Sequence, residues 1–362
     1  MMKKHYDVIV VGGGVIGSSI AYQLSKRGRN VLLLEKNKLA SKASSAAAGM
    51  LGAQSELEKD SPLFRLARKS RGMFPKLAEE LKELTGIDIQ LVQNGIFKIA
   101  KTDAEAASLA SIISIQKKLG ESASWIAPNE LREWEPSLSE YIKGAMYIPN
   151  DGNVSPPNLS RALAHAAIGL GAEMMEHTEV CGFIKETNRI IGVQTMIGKI
   201  FADETVITGG AWSEQLLSQL GIKLNTYPVK GECFSVRVKK SPVIRTIFSK
   251  GCYIVPKPDG RLVIGATEEA NTFDESVHLE GLVQLMQRAI KLIPELTCAQ
   301  WEKSWAGIRP QTADKTPYMG RHPLFEGLSI ATGHYRNGIL LAPITGLNMA
   351  KLLEGEEIEA PF

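Results

Sequence analysis

Cysteine is scarce in this chain and shows no pattern. The 362 residues hold 4 of them, Cys181, Cys233, Cys252 and Cys298, none in C-x-x-C spacing, which argues against a disulfide framework; no metal site is expected. Reduced, mostly buried thiols are the expectation. A surplus of one charge is missing too. The 42 Lys and Arg against 39 Asp and Glu leave +3, and no basic run exceeds a pair, so nucleic acid is not an expected partner. No apolar run is long enough to span a membrane, so no membrane partner is expected either. The opening Met1-Met2-Lys3-Lys4-His5 before an apolar run has the outline of a signal peptide. Three glycines break that run and no small-residue cleavage site follows, so it reads as the first strand of a cytoplasmic protein. Also missing is any obvious His-Asp constellation for acid–base work. What remains, 44% apolar and 22% charged residues, suits a globular chain whose length suggests two domains.

The stretch from Val8 to Glu35 organises the rest. Val8-Ile9-Val10-Val11 is a short run of the kind found in strands buried on both faces, and Gly12-Gly13-Gly14-Val15-Ile16-Gly17 follows at once. Gly12, Gly14 and Gly17 fit G-x-G-x-x-G: the first for a tight turn, the second for close approach of a pyrophosphate, the third for helix–strand packing. Phosphates would sit at the N-terminus of a helix predicted from Val15 to Arg27 and ended by Gly28. The next strand, Val31 to Leu34, leads into Glu35, placed to accept hydrogen bonds from ribose hydroxyls and to repel a 2′-phosphate.

Further along, Ser41 to Gly52 is a run of small residues suited to close approach of a large flat ligand. Ser44 and Ser45 could meet the pyrophosphate, and Gly49 and Met50 could lie along a ring system; an alanine-rich helix cap is the competing reading. Helical spacing marks 62–84, 104–119, 129–134, 156–170 and 279–292, and strands are predicted at 87–91, 95–100, 144–148, 173–180 and 204–208. From Tyr227 the pattern changes to alternating strands at 232–238, 252–256 and 261–266, an antiparallel sheet. In Trp305-Ala306-Gly307-Ile308-Arg309-Pro310, an extended strand puts Trp305, Gly307 and Arg309 on one face. A guanidinium there could fork onto a carboxylate or form a structural ion pair. The last strand ends in Gly333, and a helix begins near Gly338, with Pro343 expected only in its first turn. The fold class is therefore α/β with an α+β insert: a Rossmann-like dinucleotide domain from 1–86, 151–223 and 307–362, and a substrate domain from 87–150 and 224–306.

Five stretches together resemble the FAD-dependent amine oxidase family related to D-amino acid and sarcosine oxidases. They are Ala46 to Ala53, Tyr227 to Glu232, Cys252 to Pro256, Trp305 to Pro310 and Gly333 to Leu341. The resemblance covers nearly the full chain. It implies FAD contacts at Val15, Ile16, Glu35, Lys36, Ala43, Ser44, Ala48, Gly49, Met50, Val180 and His334, Tyr335, Arg336, Asn337, Gly338, Ile339 and Leu340. It also implies substrate contacts at Arg309 and Arg336 with Tyr253 nearby. The implied reaction is oxidation of glycine, sarcosine or small D-amino acids by hydride transfer to flavin N5, followed by imine hydrolysis and reoxidation by dioxygen to hydrogen peroxide, with a place in thiamine thiazole synthesis and a homotetrameric assembly. Relatives that hold flavin covalently use a late cysteine; none lies between Trp301 and Phe362, so FAD is expected without a covalent link. Gly251 and Glu268 depart from the family pattern, where histidine and methionine or lysine are expected. A carboxylate at 268 would attract a cationic amine or disfavour a second acidic group. The sequence does not separate an oxidase from a D-amino acid dehydrogenase with another electron acceptor. A non-catalytic FAD-bound scaffold is the alternative of another class, and a nicotinamide-dependent dehydrogenase ranks third.

Overall fold

Two large sheets, of 8 and 9 strands, carry the chain between residues 5 and 358, the part that the computed structural model describes. Met1 to Lys4, read above as the lead-in to the first strand, lie outside the described residues. The first sheet has a parallel heart in the order Leu328–Thr332, Gly198–Ile207, His5–Val11, Val31–Leu34, Glu173–Met175. Its centre is apolar on both faces because both are covered. Val8 and Val10 join the cluster formed with the helices Val15–Ser25, Pro62–Thr85, Pro156–Gly169 and Gly338–Leu353, while Ile9 and Val11 join a second cluster under the Val180–Glu186 and Arg189–Thr195 hairpin. That two-sided burial is why the run at 8–11 is continuous rather than alternating.

The second sheet is antiparallel apart from one parallel pairing, Thr246–Ser249 with Ile96–Ala100. Its longest pairing joins Thr226–Arg237 to Gln300–Thr312, with Gly231 opposite Gly307 and Val229 opposite Arg309. Residue 307, where the sequence reading divided the domains, falls inside this strand.

Four local expectations need correction. The strand expected at 87–91 does not form. The Asp88 carboxylate accepts the Gln90 N–H at 2.7 Å and Gln90 has φ 55°, a side-chain-closed turn that takes the backbone off the strand path. The strand expected over 173–180 is two, Glu173–Met175 and Val180–Glu186, separated at His177, whose φ is 53°. Pro343 is not in the first turn of the Gly338–Leu353 helix but its sixth residue. The hydroxyl of Ser70, from the Pro62–Thr85 helix, donates to Leu340 O at 2.6 Å and accepts Ile344 N–H at 3.4 Å, so it bridges a pair that a regular helix would join directly. A side chain inserted into the ladder lets the helix tolerate the proline. Of the four thiols only Cys233 and Cys252 are buried; Cys181 and Cys298 are exposed.

Candidate functional site

One cavity of about 580 Å³ runs from the glycine turn of the first sheet to the strands of the second. At the turn, each glycine has a steric reason. Gly12 has φ 115° and a Cβ there would lie 2.6 Å from Thr208 O; one on Gly17 would lie 2.0 Å from Gly12 O. At Gly14 only the Ser44 hydroxyl comes within 4 Å, so this backbone stays open to a ligand. The Thr208 hydroxyl, which the sequence did not single out, fastens the turn near Val11 O and Gly12 O at 2.9 and 2.8 Å. The helix beginning at Val15 has no acidic residue in its first turn, and Ser44 Oγ accepts the Val15 N–H at 2.9 Å. A second helix start, Asn337-Gly338-Ile339, lines the same cavity. Two helix starts lining one cavity, one of them directly after the glycine turn, suit the anionic parts of a dinucleotide.

At the far end the chemistry comes from side chains. Arg309 lies flat over Gly231, where a Cβ would sit 2.0 Å from Nη2. Its one hydrogen bond, to Thr267 O at 3.4 Å, is long, and among the described residues no carboxylate lies within 4 Å of it. Arg336 differs: its Nη2 meets Glu56 Oε1 at 2.7 Å, and that carboxylate raises the guanidinium pKa against the opposing effect of burial. The buried Tyr253 hydroxyl lies 3.2 Å from Cys233 Sγ; burial pushes the pKa of both groups up, so both stay protonated. His334 is buried against Thr345 Oγ1 at 3.1 Å, and burial pushes its pKa down to about 4, so the imidazole is neutral. Lys257 reaches from the second sheet to Ala48 O, Val154 O and Asn153 Oδ1 at 2.7, 2.8 and 2.9 Å, fastening the small-residue loop from behind.

The sequence-predicted residues divide in two. Val15, Ile16, Ala43, Ser44, Ala48, Gly49, Met50, Tyr253, Arg309 and His334 to Ile339 all line the cavity. Gly12, Gly14, Gly17, Glu35, Lys36, Ser45, Val180 and Leu340 do not, the three glycines shaping the turn just behind Val15 and Ile16. The Glu35 carboxylate accepts the Gly13 and Asn37 N–H groups at 2.7 and 2.8 Å, so it braces the turn as well as standing at the strand tip. Lys36 pairs with Glu179, and Val180 heads the next strand. Ser45 faces a separate, smaller hollow beside Lys257 and Trp305, and Leu340 is core. Trp305, Gly307 and Arg309 do turn toward the same part of the molecule: the indole N–H bonds to Ala46 O at 2.8 Å and a Cβ on Gly307 would touch Ala46. Gly231, Thr267, Cys233, Glu56 and Lys257 were given no role by sequence reasoning. Gly231 lies inside one of the stretches that carry the resemblance, and Cys233 counts only among the thiols.

The family model described as FAD dependent oxidoreductase matches residues 7–352. The glycine oxidase of Geobacillus kaustophilus is 49% identical over 100% of this chain and 97% of its own length, and its crystal structure superposes with a TM-score of 0.95 over 98% of this chain and 96% of that one. The bifunctional protein ThiO/ThiG of Trichormus variabilis is 36% identical over 96% of this chain, which spans 52% of that protein. The iminodiacetate oxidase of Chelativorans is 26% identical, with a TM-score of 0.91 over 98% of this chain and 97% of that one. No described helix is long and apolar enough to cross a membrane. With the fold, the glycine turn and the match over residues 7–352 agreeing, the chain belongs to the FAD dependent oxidoreductase family.

Proposed function

We propose that this enzyme oxidises glycine and other small amino acids, sarcosine and small D-amino acids among them, to the corresponding oxo acid with release of ammonia or amine. FAD, when bound, would supply the hydride acceptor for the α C–H, with dioxygen as the final acceptor of the electron pair and hydrogen peroxide as its product. Residues of this chain do the rest. Gly12, Gly14, Val15, Ile16 and Gly17 with Ser44 would hold the pyrophosphate, Glu35 the ribose, and Ala48, Gly49, Met50 and His334 to Ile339 the ring system, with no covalent link. Arg309 clamps the substrate carboxylate with two parallel N–H donors, Arg336 adds a second positive charge, and Tyr253 donates its hydroxyl. Fixing the carboxylate aims the α C–H, and no side-chain base is needed if the amine sheds its proton on binding. The observation that carries this reading is the Arg309 guanidinium, inside the cavity with no carboxylate within ion-pair reach among the described residues. Arg336 is already engaged by Glu56, which makes it the secondary group.

The relatives named glycine oxidase and ThiO/ThiG support the substrate and a place in thiamine thiazole synthesis. The reading includes a cytoplasmic homotetramer, and it assigns the dinucleotide unit to 1–86, 151–223 and the chain after Thr312, moving the boundary from 307 to the end of the strand. The test is stoichiometric: purified protein in air with glycine should yield glyoxylate, ammonia and hydrogen peroxide in equal amounts. Flavin bleached by glycine without peroxide on admitting air would assign a dehydrogenase, and no bleaching would end the proposal.

A further inference from the structure

The cavity wall carries a carboxylate whose charge nothing cationic neutralises. Glu268 lines the same space as Arg309, Arg336 and Tyr253, and its carboxylate is held by the Tyr335 hydroxyl. Its backbone neighbour fixes its place: Thr267 O accepts from Arg309, Thr267 Oγ1 accepts the Glu232 N–H at 2.8 Å, and Thr267 N–H donates to Glu232 O at 3.2 Å. Glu268 is therefore the residue directly after the one that contacts the proposed clamp. Of the other acids lining the cavity, Glu56 pairs with Arg336 and Glu58 with Lys98, while Glu105 has no ion pair among the described residues but is turned away onto the Lys101 backbone N–H at 2.6 Å. Among the described residues, no Lys, Arg or His lies within ion-pair distance of Glu268.

Resting on the amino acid oxidase reading and refining its substrate class, we infer that Glu268 is a specificity-determining residue that excludes amino acids with a second carboxylate. A monocarboxylic substrate spends its one anion on Arg309. A dicarboxylic one brings a second anion beside a fixed negative charge, while Arg336 is occupied by Glu56 and Lys98 by Glu58, so besides Arg309 the only Lys or Arg lining the cavity without an ion pair among the described residues is the exposed Lys250. The phenol that holds Glu268 stays protonated, because burial and the carboxylate itself raise its pKa, so the charge keeps its position across the working range. At an effective dielectric near that of a protein surface, like charges a few ångströms apart in such a pocket cost enough to change selectivity on the order of tenfold.

Iminodiacetate and its monoethyl ester differ by one charge and by an ethyl group, so the change in the ratio of their kcat/KM values between wild type and Glu268→Gln reads charge rejection and cancels the bulk of the ethyl group. Wild type should prefer the monoester, and Glu268→Gln should raise the iminodiacetate-to-monoester ratio by on the order of tenfold. Tyr335→Phe, which frees the carboxylate without removing it, should keep the preference for the monoester. A ratio unchanged in Glu268→Gln, or iminodiacetate preferred by the wild type, overturns the inference. Glycine oxidation by the wild type is read separately: if it is absent, the amino acid oxidase reading fails, whereas its presence with an unchanged ratio removes only the role of Glu268.

Discussion

The two ends of the cavity are built by different means. At the dinucleotide end, backbone does the work: Gly12, Gly14 and Gly17 shape the turn, and N–H groups at two helix starts face the ligand space. At the substrate end side chains do it: Arg309 and Tyr253 project from antiparallel strands, Glu268 and Arg336 from connecting segments, and the place of Arg309 depends on which strand lies opposite. A backbone-built site tolerates no added atom yet has few groups to titrate. A side-chain-built site can be altered one group at a time while the fold persists.

The sharpest way to break this contrast is to add one carbon at the first end. Gly17→Ala should cost about 4 kcal/mol or prevent folding, since its Cβ would sit 2.0 Å from the Gly12 carbonyl, and thermal melts with flavin content read this out. The equivalent change at the other end is Gly231→Ala. Its Cβ also meets an atom at 2.0 Å, but that atom is the end of the Arg309 side chain, which can move. The fold and FAD should persist while kcat/KM for glycine falls about 100-fold, or about 3 kcal/mol of transition-state binding.

His334 offers a test by pH. Its folded pKa of about 4 is below the usual value of 6.5, so its neutral form is the one that the fold stabilises. Stability from this residue is complete above pH ~6.5 and declines as the pH falls toward 4, by about 2 kcal/mol between pH 6.5 and 5. Melting temperatures of wild type and His334→Gln across this range should converge as the pH falls; parallel curves would show that His334 does not titrate this way. The smallest expected effect is at Glu35. Because its carboxylate braces the Gly13 and Asn37 N–H groups, Glu35→Ala should weaken FAD by about 1–2 kcal/mol and lower the melting temperature of the apoprotein as well. A change in FAD affinity alone would mean that the turn does not need the brace.

The same contrast explains what the sequence made legible. The turn at 12–17, the helix after it and the strand ending at Glu35 are contiguous, so local spacing was enough to place them. Arg309 was visible as a strand residue, but Gly231, which gives it room, is 78 positions earlier and meets it only through the pairing of two strands. Ser70 beneath Pro343 and Lys257 behind Ala48 are likewise long-range contacts that no local pattern encodes. The failed strand at 87–91 had a different cause, a side chain closing a turn within an apolar stretch. Glu35 was placed correctly at the strand tip, yet its two backbone hydrogen bonds depend on how the glycine turn folds back over it.

The central claim is that Arg309, not Arg336, holds the substrate carboxylate, and anaerobic reduction of bound flavin by glycine tests it most directly. Arg309→Ala should retain FAD but raise the glycine concentration for half-maximal reduction and slow the limiting rate, a combined loss of about 3–4 kcal/mol, with Arg309→Lys recovering only part. Arg336→Ala, which frees Glu56, should have the smaller effect. If instead Arg336→Ala abolishes reduction while Arg309→Ala binds FAD and is reduced by glycine as the wild type is, the clamp is Arg336 and this account of the substrate end is wrong.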